Sequence, residues 1–240
     1  MKHFNWYNIR LIVLFGVLVF LYSFSFDRNS HRKLQKSEVV FVGNNNVFVK
    51  QEVVNKLLIE NKLDARSIEK IEVDLNIIEK SINNHPMIQK SEVFVSVDGV
   101  LKALVVQKTP IARVMTQNGS FYIDSEGNTM PLSENYAAHV PLVSGAISKE
   151  NCAKMYPFLM QIYKDDFLKK NIISVEVLNN KDVLLGNRNY DFDIEFGKLK
   201  EIERKFKNYK AFFHKSVADH SIEKYKKITL KFTQQVVCTK

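Results

Sequence analysis

The chain has 240 residues, of which 45% are hydrophobic and 25% charged, and it contains only eight glycines and five prolines. This composition is typical of a folded protein and excludes an intrinsically disordered scaffold. The formal net charge is +9, but the lysines are spread along the chain among acidic residues and accompany no nucleic-acid-binding motif, so the charge predicts a basic, solvated surface.

An apolar run near the N-terminus predicts a membrane-spanning helix. Residues 11–26 are aliphatic or aromatic apart from one glycine and two serines, and with Trp6 and Tyr7 the run is long enough for the roughly 30 Å hydrocarbon core. No Ala-x-Ala-like site follows, which favours an uncleaved signal anchor over a cleaved signal peptide. Basic residues flank both ends, so charge alone leaves the orientation open. The apolar residues that mark the span are Leu11, Leu14, Leu18, Leu21 and Phe26.

The next stretch, residues 38–110, predicts one small α+β domain. A β-rich run over 38–42 ends at Gly43-Asn44, a turn pair, and two amphipathic helical patterns follow, the second with Asp74 as its N-cap. Two alternating runs then flank Asp98-Gly99, which predicts a hairpin with a type I′ turn. This order of strand, two helices and hairpin resembles that of a POTRA domain.

Residues 111–240 predict a mixed α/β domain built on a mainly antiparallel sheet. Asn118-Gly119 is a second hairpin signal. A helical pattern begins near Ser148, and apolar residues at spacings of three and four from Leu199 to Phe213 predict an amphipathic helix lying on the sheet. The final run, residues 228–237, is β-rich and is predicted to be one strand.

The strongest enzyme-like pattern is a set of three acids, Asp191, Asp193 and Glu195, on one face of a strand. Alternate residues on a strand lie about 6.5–7 Å apart, too far for the three to hold one cation without other ligands, so a solvated strand face is favoured over a metal site. The sequence has no nucleotide-loop, zinc-protease or nucleophile-elbow motif. Cys152 and Cys238 have no CxxC spacing, and two separate buried thiols are favoured over a disulfide. We therefore expect a protein that is not an enzyme and has no cofactor.

The last predicted strand is the candidate interaction site. Ile228, Leu230 and Phe232 would face the core, and their neighbours in the strand would face outward. If this strand is the edge of its sheet, its unpaired backbone groups can accept a strand from another chain. The alternative is a central strand paired on both sides. The candidate binding residues are Tyr225, Ile228, Thr229, Leu230, Lys231, Phe232 and Thr233.

Several short motifs, in order, resemble the FtsQ/DivIB family of bacterial cell-division proteins. They are Val42-Gly43-Asn44, His85-Pro86-Met87-Ile88, residues 107–112 (QKTPIA), Phe121-Tyr122-Ile123-Asp124 with Gly127, Val140-Pro141-Leu142-Val143 with Gly145, and residues 225–232 (YKKITLKF). The resemblance implies a cytoplasmic leader (1–8), a transmembrane signal anchor (9–27), a juxtamembrane spacer (28–37), a POTRA-like domain (38–110) and an FtsQ-type β domain (111–240).

The family resemblance also implies a function. It implies a non-enzymatic scaffold of the divisome, in the cytoplasmic membrane at the septum, with its C-terminal domain on the extracytoplasmic side. Its partners would be small bitopic proteins of the FtsB/DivIC and FtsL types, one of which adds a strand near the C-terminus, where Tyr225 and residues 228–233 match the family. The alternatives are a POTRA-bearing component of outer-membrane protein assembly or secretion and, third, a membrane-anchored cell-wall hydrolase.

Overall fold

A computed structural model describes residues 6–43, 47–59, 66, 68–70, 73–148 and 152–240. Its contacts divide the chain into two compact units, Met1–Gln107 and Lys108–Lys240. The predicted leader (1–8) and the turn at Gly43-Asn44 fall partly outside the described residues.

A long apolar helix, α1 (Trp6–Ser30), begins the described chain. By length and composition its segment Ile9–Asn29 can cross a membrane, and none of that segment is buried by the protein. An apolar helix whose side chains have no protein partner is stable in lipid, where every backbone hydrogen bond is satisfied within the helix. The residues predicted to mark the span, Leu11, Leu14, Leu18, Leu21 and Phe26, are all exposed on it.

The rest of the first unit has the predicted βααββ order. Its elements are β1 (Lys36–Phe41), α2 (Gln51–Leu58), α3 (Leu75–Asn83), β2 (Ile88–Val95) and β3 (Val100–Gln107). Within the described residues the strands form one sheet in the order β1-β3-β2, with β1 parallel and β2 antiparallel to β3. The Asp74 carboxylate accepts hydrogen bonds from the N–H groups of Asn76 and Ile77, which confirms it as the cap of α3.

The β2–β3 hairpin lies where it was predicted, but its turn differs. Gly99 has a φ of +85°, but the φ of Asp98 is not positive. A type I′ turn needs a positive φ at both central residues, so this turn is not type I′. The Ser96 hydroxyl donates to the carbonyl of Val100 and accepts from its N–H, and the Gly99 N–H donates to the Ser96 carbonyl. Ser96 thus closes a four-residue loop that needs only one left-handed residue.

The second unit is a large mixed sheet with helices. Its elements are β4 (Pro110–Thr116), β5 (Gly119–Asp124), β6 (Thr129–Met130), β7 (Leu142–Gly145), α4 (Cys152–Lys164), α5 (Asp166–Asn171), β8 (Ile172–Val177), β9 (Val183–Asn187), β10 (Asp193–Gly197), α6 (Ile202–Ala218), β11 (Lys227–Thr229) and β12 (Val237–Thr239). In the part of the chain that the structure describes, the strand order is β12-β11-β10-β9-β8-β7-β4-β5-β6. The pairs β10–β11, β4–β7 and β7–β8 are parallel and the other five are antiparallel, which confirms a mainly antiparallel sheet.

The core of this unit joins α4 and α6 to the sheet through aromatic rings. Phe158 of α4 lies with its ring centroid 5.0 Å from Phe196 of β10 and 5.4 Å from Phe206 of α6. All three side chains are buried. Large rings in edge-to-face or offset contact contribute about 0.5–1.5 kcal/mol per pair beyond their burial. The amphipathic helix predicted from Leu199 to Phe213 is therefore confirmed as α6, and it fixes β10 beneath it.

Candidate functional site

The C-terminal segment forms two short strands and not the single strand predicted over residues 228–237. β11 ends at Thr229, the chain turns, and β12 returns antiparallel to it with Cys238 opposite Ile228. The flank of β11 that would be open in an edge strand is occupied by the chain's own terminal residues, so of the two alternatives the structure has the strand paired on both sides. In the described chain, β12 is the edge strand at this end of the sheet and β6 is the edge strand at the other end.

Two hydrogen bonds explain where the first of these strands ends. The Leu230 N–H donates to the Glu195 carbonyl at 2.8 Å, the last bond of the β10–β11 ladder. The Asn208 side-chain amide of α6 then donates to the Thr233 carbonyl at 2.9 Å and holds the following loop against that helix. The chain cannot continue straight along β10 while the Thr233 carbonyl is bound to α6.

The predicted binding residues take different positions in this arrangement. Ile228 and Leu230 are buried, as predicted, but Phe232 is 55% exposed and does not enter the core. Tyr225 packs against Phe212 of α6, with ring centroids 5.5 Å apart. The remaining candidates are Thr229, which is half-buried, Lys231, which is exposed, and Thr233, which is half-buried. Phe232 thus presents an apolar ring to solvent in the loop that follows β11.

Glu195 organises the polar side of β10 and β11. Its carboxylate lies 2.6 Å from the Lys231 ammonium and 3.2 Å from that of Lys227, and it accepts a hydrogen bond from the Thr229 hydroxyl at 3.2 Å. The hydrogen bond from Lys231, with help from Lys227, lowers the pKa of Glu195 against the opposing effect of burial. The same bond raises the pKa of Lys231. Lysines therefore neutralise the one acid of the predicted triplet that is most enclosed.

The backbone of β12 provides the free edge. In the β10–β11 pair, the carbonyl of Lys226 and the N–H of Leu230 point toward β10. The backbone N–H and C=O of Ile228, which lies between them, therefore point the same way. Those of the alternate residues Lys227 and Thr229 point toward β12. The residues opposite them, Thr239 and Val237, bond back to β11. Cys238 accordingly directs its N–H and C=O away from the sheet. Each strand residue alternates in this way, so β12 offers one donor and one acceptor at its centre.

The edges of the small sheet in the first unit are closed by side chains. On β2, the Ser91 N–H donates to Asn83 Oδ1 at 2.7 Å and the Val93 N–H donates to Glu79 Oε2 at 3.3 Å. On β1, the Val39 carbonyl accepts from the Gln51 side-chain amide at 3.0 Å. Side-chain capping is a known way to block strand addition at a sheet edge. These two edges are less suited to pairing with another chain than β12 is.

A basic cleft in the second unit was not foreseen from the sequence. It has a volume of about 650 Å³ and lies at the ends of β7, β8 and β10. Its rim carries Lys154, Lys181, Lys198 and Lys200, and its floor includes Ile147, Met155, Val177, Val183 and Leu199. An apolar floor with a cationic rim is suited to an acidic amphipathic segment. The four lysines come from three separate parts of the chain, so no local motif announces them.

Both cysteines are free thiols. Cys152 is buried and Cys238 partly exposed, and burial raises the pKa of each. In the described ranges, no group of three or more His, Cys, Asp or Glu side chains is placed to hold a metal ion.

The described chain has an apolar helix able to cross a membrane, a POTRA-like unit with capped edges and a second sheet with an open terminal edge. These features together define a membrane-anchored interaction protein. The sequence model of the family described as FtsQ/DivIB, C-terminal related, matches residues 109–239, more than half of the chain. The chain belongs to this FtsQ/DivIB-related family and is a cell-division membrane protein, with one candidate span among its described residues. A search of curated proteins gives no match. The family is one of non-catalytic division scaffolds.

Proposed function

We propose that this protein is a non-enzymatic bitopic scaffold of the divisome that captures a small bitopic partner by strand addition at β12. The single observation that carries the proposal is the outward-facing N–H and C=O of Cys238 on the edge strand of a nine-stranded sheet in the described chain. A partner strand that pairs there gains backbone hydrogen bonds, and neighbouring side chains supply specificity.

The side chains around this edge suit a partner with an apolar and an acidic residue. Phe232 is exposed for an apolar contact. Lys231, which keeps 39% of its side chain exposed, directly precedes Phe232 in the chain, and Lys227 lies on β11; both ammonium groups contact Glu195. In the proposed site, Ile228, Leu230 and Tyr225 support the edge from within the fold, while Lys231, Phe232 and Thr233 are the residues that a partner touches.

Family membership supports the wider proposal. The partners are small bitopic proteins of the FtsB/DivIC and FtsL types, and their capture helps control septal cell-wall synthesis. The protein lies in the cytoplasmic membrane at the septum, with residues 1–8 in the cytoplasm and residues 38–240 on the extracytoplasmic side. The POTRA-like domain (38–110) and the β domain (111–240) divide the work, with capture assigned to the latter.

The test is a proline at the centre of the edge strand. Cys238→Pro removes the outward N–H while leaving the β11–β12 hydrogen bonds, because prolines are tolerated on edge strands where the N–H faces solvent. Cys238→Ser is the matched control, since it changes the side chain and keeps the N–H. We expect the proline variant to lose the bitopic partner in pull-downs from membrane extract, and the serine variant to retain it.

Equal denaturant midpoints for the two variants establish that the fold is intact. Retention of the partner by a folded Cys238→Pro chain would show that pairing does not occur at this edge.

A further inference from the structure

The residues that follow the C-terminal end of α1 are hydrogen-bonded directly to the βααββ part of the first unit. The Arg32 carbonyl accepts a hydrogen bond from the Lys70 N–H at 3.0 Å, and the Leu34 N–H donates to the Ile68 carbonyl at 3.0 Å. The Leu34 side chain is 2% exposed, and the Gln35 N–H donates to the Gly99 carbonyl. Much of the stretch predicted as a spacer (28–37) is therefore built into the fold.

This attachment gathers basic side chains from two distant parts of the sequence at the end of the candidate span. We call them the basic collar: Arg28, Arg32, Lys33, Lys36, Arg66 and Lys70. The Lys70 ammonium donates to Asn29 Oδ1 at 3.5 Å, in the last turn of α1. The Arg66 guanidinium donates to the Gln35 carbonyl at 3.3 Å. Arg66 and Lys70 thus lie at the helix end and add two cations to Arg28, Arg32, Lys33 and Lys36, which lie at or just after the end of the span.

Within the part of the chain that the structure describes, acidic residues offset only part of this charge. Asp27 lies beside His31, Glu69 pairs through its backbone with Lys33, and Glu38 lies 3.6 Å from the Lys36 ammonium and 3.7 Å from that of Lys102. A hydrogen bond from the Ser96 side chain and the nearby ammonium groups of Lys102 and Lys36 lower the pKa of Asp98. Among the described residues, the six collar cations and Lys102 make seven positive charges against the four acids Asp27, Glu38, Glu69 and Asp98, an excess of three. Arg28, Arg32 and Lys33 are exposed, so this charge faces solvent or headgroups.

A bilayer-spanning α1 would place the collar at the depth of the lipid headgroups. The apolar run ends at Phe26. Arg28 is two residues farther along the helix, which is about 3 Å at a rise of about 1.5 Å per residue. Electrostatic attraction acts over about 8–10 Å at physiological salt, which covers the residues bound to the last turn of α1. Guanidinium groups bind phosphate oxygens in a bidentate manner.

We propose that the basic collar binds the anionic headgroups of membrane phospholipids and holds the first unit at the bilayer surface. The occupant is a phospholipid because the collar surrounds the end of the membrane helix, where headgroups are the nearest anions. The proposal requires only that α1 spans the bilayer, and it holds for either orientation. It is independent of strand capture at β12.

The test uses the full chain reconstituted in equimolar phosphatidylglycerol and phosphatidylcholine, followed by detergent extraction and mass spectrometry of the phospholipids that remain bound. The collar variant is Arg28→Gln, Arg32→Gln, Lys33→Gln and Lys70→Gln together. The control variant removes the same charge from exposed lysines of the second unit, Lys200→Gln, Lys207→Gln, Lys215→Gln and Lys224→Gln. We expect the wild-type and control chains to retain an excess of phosphatidylglycerol, and the collar variant to lose it.

A second measurement on the wild-type chain does not depend on how the variant folds. Raising the salt concentration during extraction screens the attraction, so the excess of phosphatidylglycerol must fall as salt rises. Retention of equal amounts of the two lipids by the wild-type chain, an unchanged excess in the collar variant, or an excess that is insensitive to salt would each overturn the proposal.

Discussion

The ammonium of Lys231 lies 2.6 Å from a carboxylate oxygen of Glu195, and the lysine stem crosses the face of Gly197 to reach it. A Cβ at position 197 would lie 2.8 Å from Lys231 Cγ. Lys231 also lies 3.6 Å from Asp182 in the β8–β9 turn. The segment after β11 is thereby fixed to β10 and to the β8–β9 turn by one side chain.

Gly197→Ala should destabilise the second unit by about 1–2 kcal/mol, because the residue has a φ of +73° and alanine strains the left-handed region. The contact with Lys231 adds to this cost. The free energy of unfolding from denaturant titration measures the total effect. Gly119→Ala is the control, since Gly119 has a φ of +127° and open space around it, so it carries the backbone strain alone. Equal losses in the two variants would mean that Lys231 yields without cost.

Glu195→Gln should reduce the stability of the second unit by about 0.5–1 kcal/mol near neutral pH, since it removes a partly enclosed ion pair. The pKa of Glu195 is lowered in the folded state, so its contribution is present above its unfolded pKa of about 4.3 and is lost as pH falls through the folded value. The pKa of Lys231 is raised, so the pair's contribution also declines as pH rises through that pKa, above the unfolded value of about 10.4.

The difference in unfolding free energy between the wild type and Glu195→Gln should therefore be largest between about pH 5 and pH 10 and should shrink on both sides. Unfolding curves across this pH range measure it. A difference that stays constant down to strongly acidic pH would contradict the ion pair as its source.

Asn83→Ala should destabilise the first unit by about 1–3 kcal/mol, because it leaves the N–H of Ser91 unsatisfied in a buried position. Ser91 is 1% exposed, and both its N–H and its hydroxyl donate to Asn83 Oδ1, at 2.7 and 3.0 Å. Hydrogen exchange of the Ser91 amide measures the loss directly. Asn76→Ala, on the exposed side of the same helix, should leave that amide protected; deprotection in both variants would point to the helix and not to the cap.

Asn208→Ala should loosen the loop between β11 and β12 at a cost of about 1 kcal/mol, since it removes the bond to the Thr233 carbonyl. Amide exchange over residues 231–236 should accelerate while that of α6 is unchanged. Lys207→Ala changes the exposed neighbour and serves as the control. If exchange in the loop were the same in the Asn208 variant as in the wild type, the loop would be held by its own strands.

Local signals predicted what local interactions decide. The α3 cap follows from Asp74 and two N–H groups within three residues of it. The Asp98-Gly99 hairpin was located correctly, but its turn type depends on the Ser96 hydroxyl, a competing local acceptor that the dipeptide rule does not include.

Contacts between distant residues account for what the sequence could not predict. The apolar alternation of Ile228, Leu230 and Phe232 runs past the end of β11. The strand stops earlier than this pattern because the Asn208 side chain, 25 residues before Thr233 in the chain, binds the Thr233 carbonyl. The caps on β1 and β2 and the return of Lys70 to α1 likewise depend on tertiary proximity. The candidate edge strand β11 is therefore paired on both sides, and the separate strand β12 that covers it was not predicted.

Leu34 is buried, and backbone hydrogen bonds hold the chain on either side of it, so α1 cannot rotate freely relative to the three-stranded sheet. A turn of the membrane helix about its own axis must therefore carry that sheet around with it. Any neighbour that fixes the azimuth of the helix within the bilayer also fixes which way the POTRA-like unit faces.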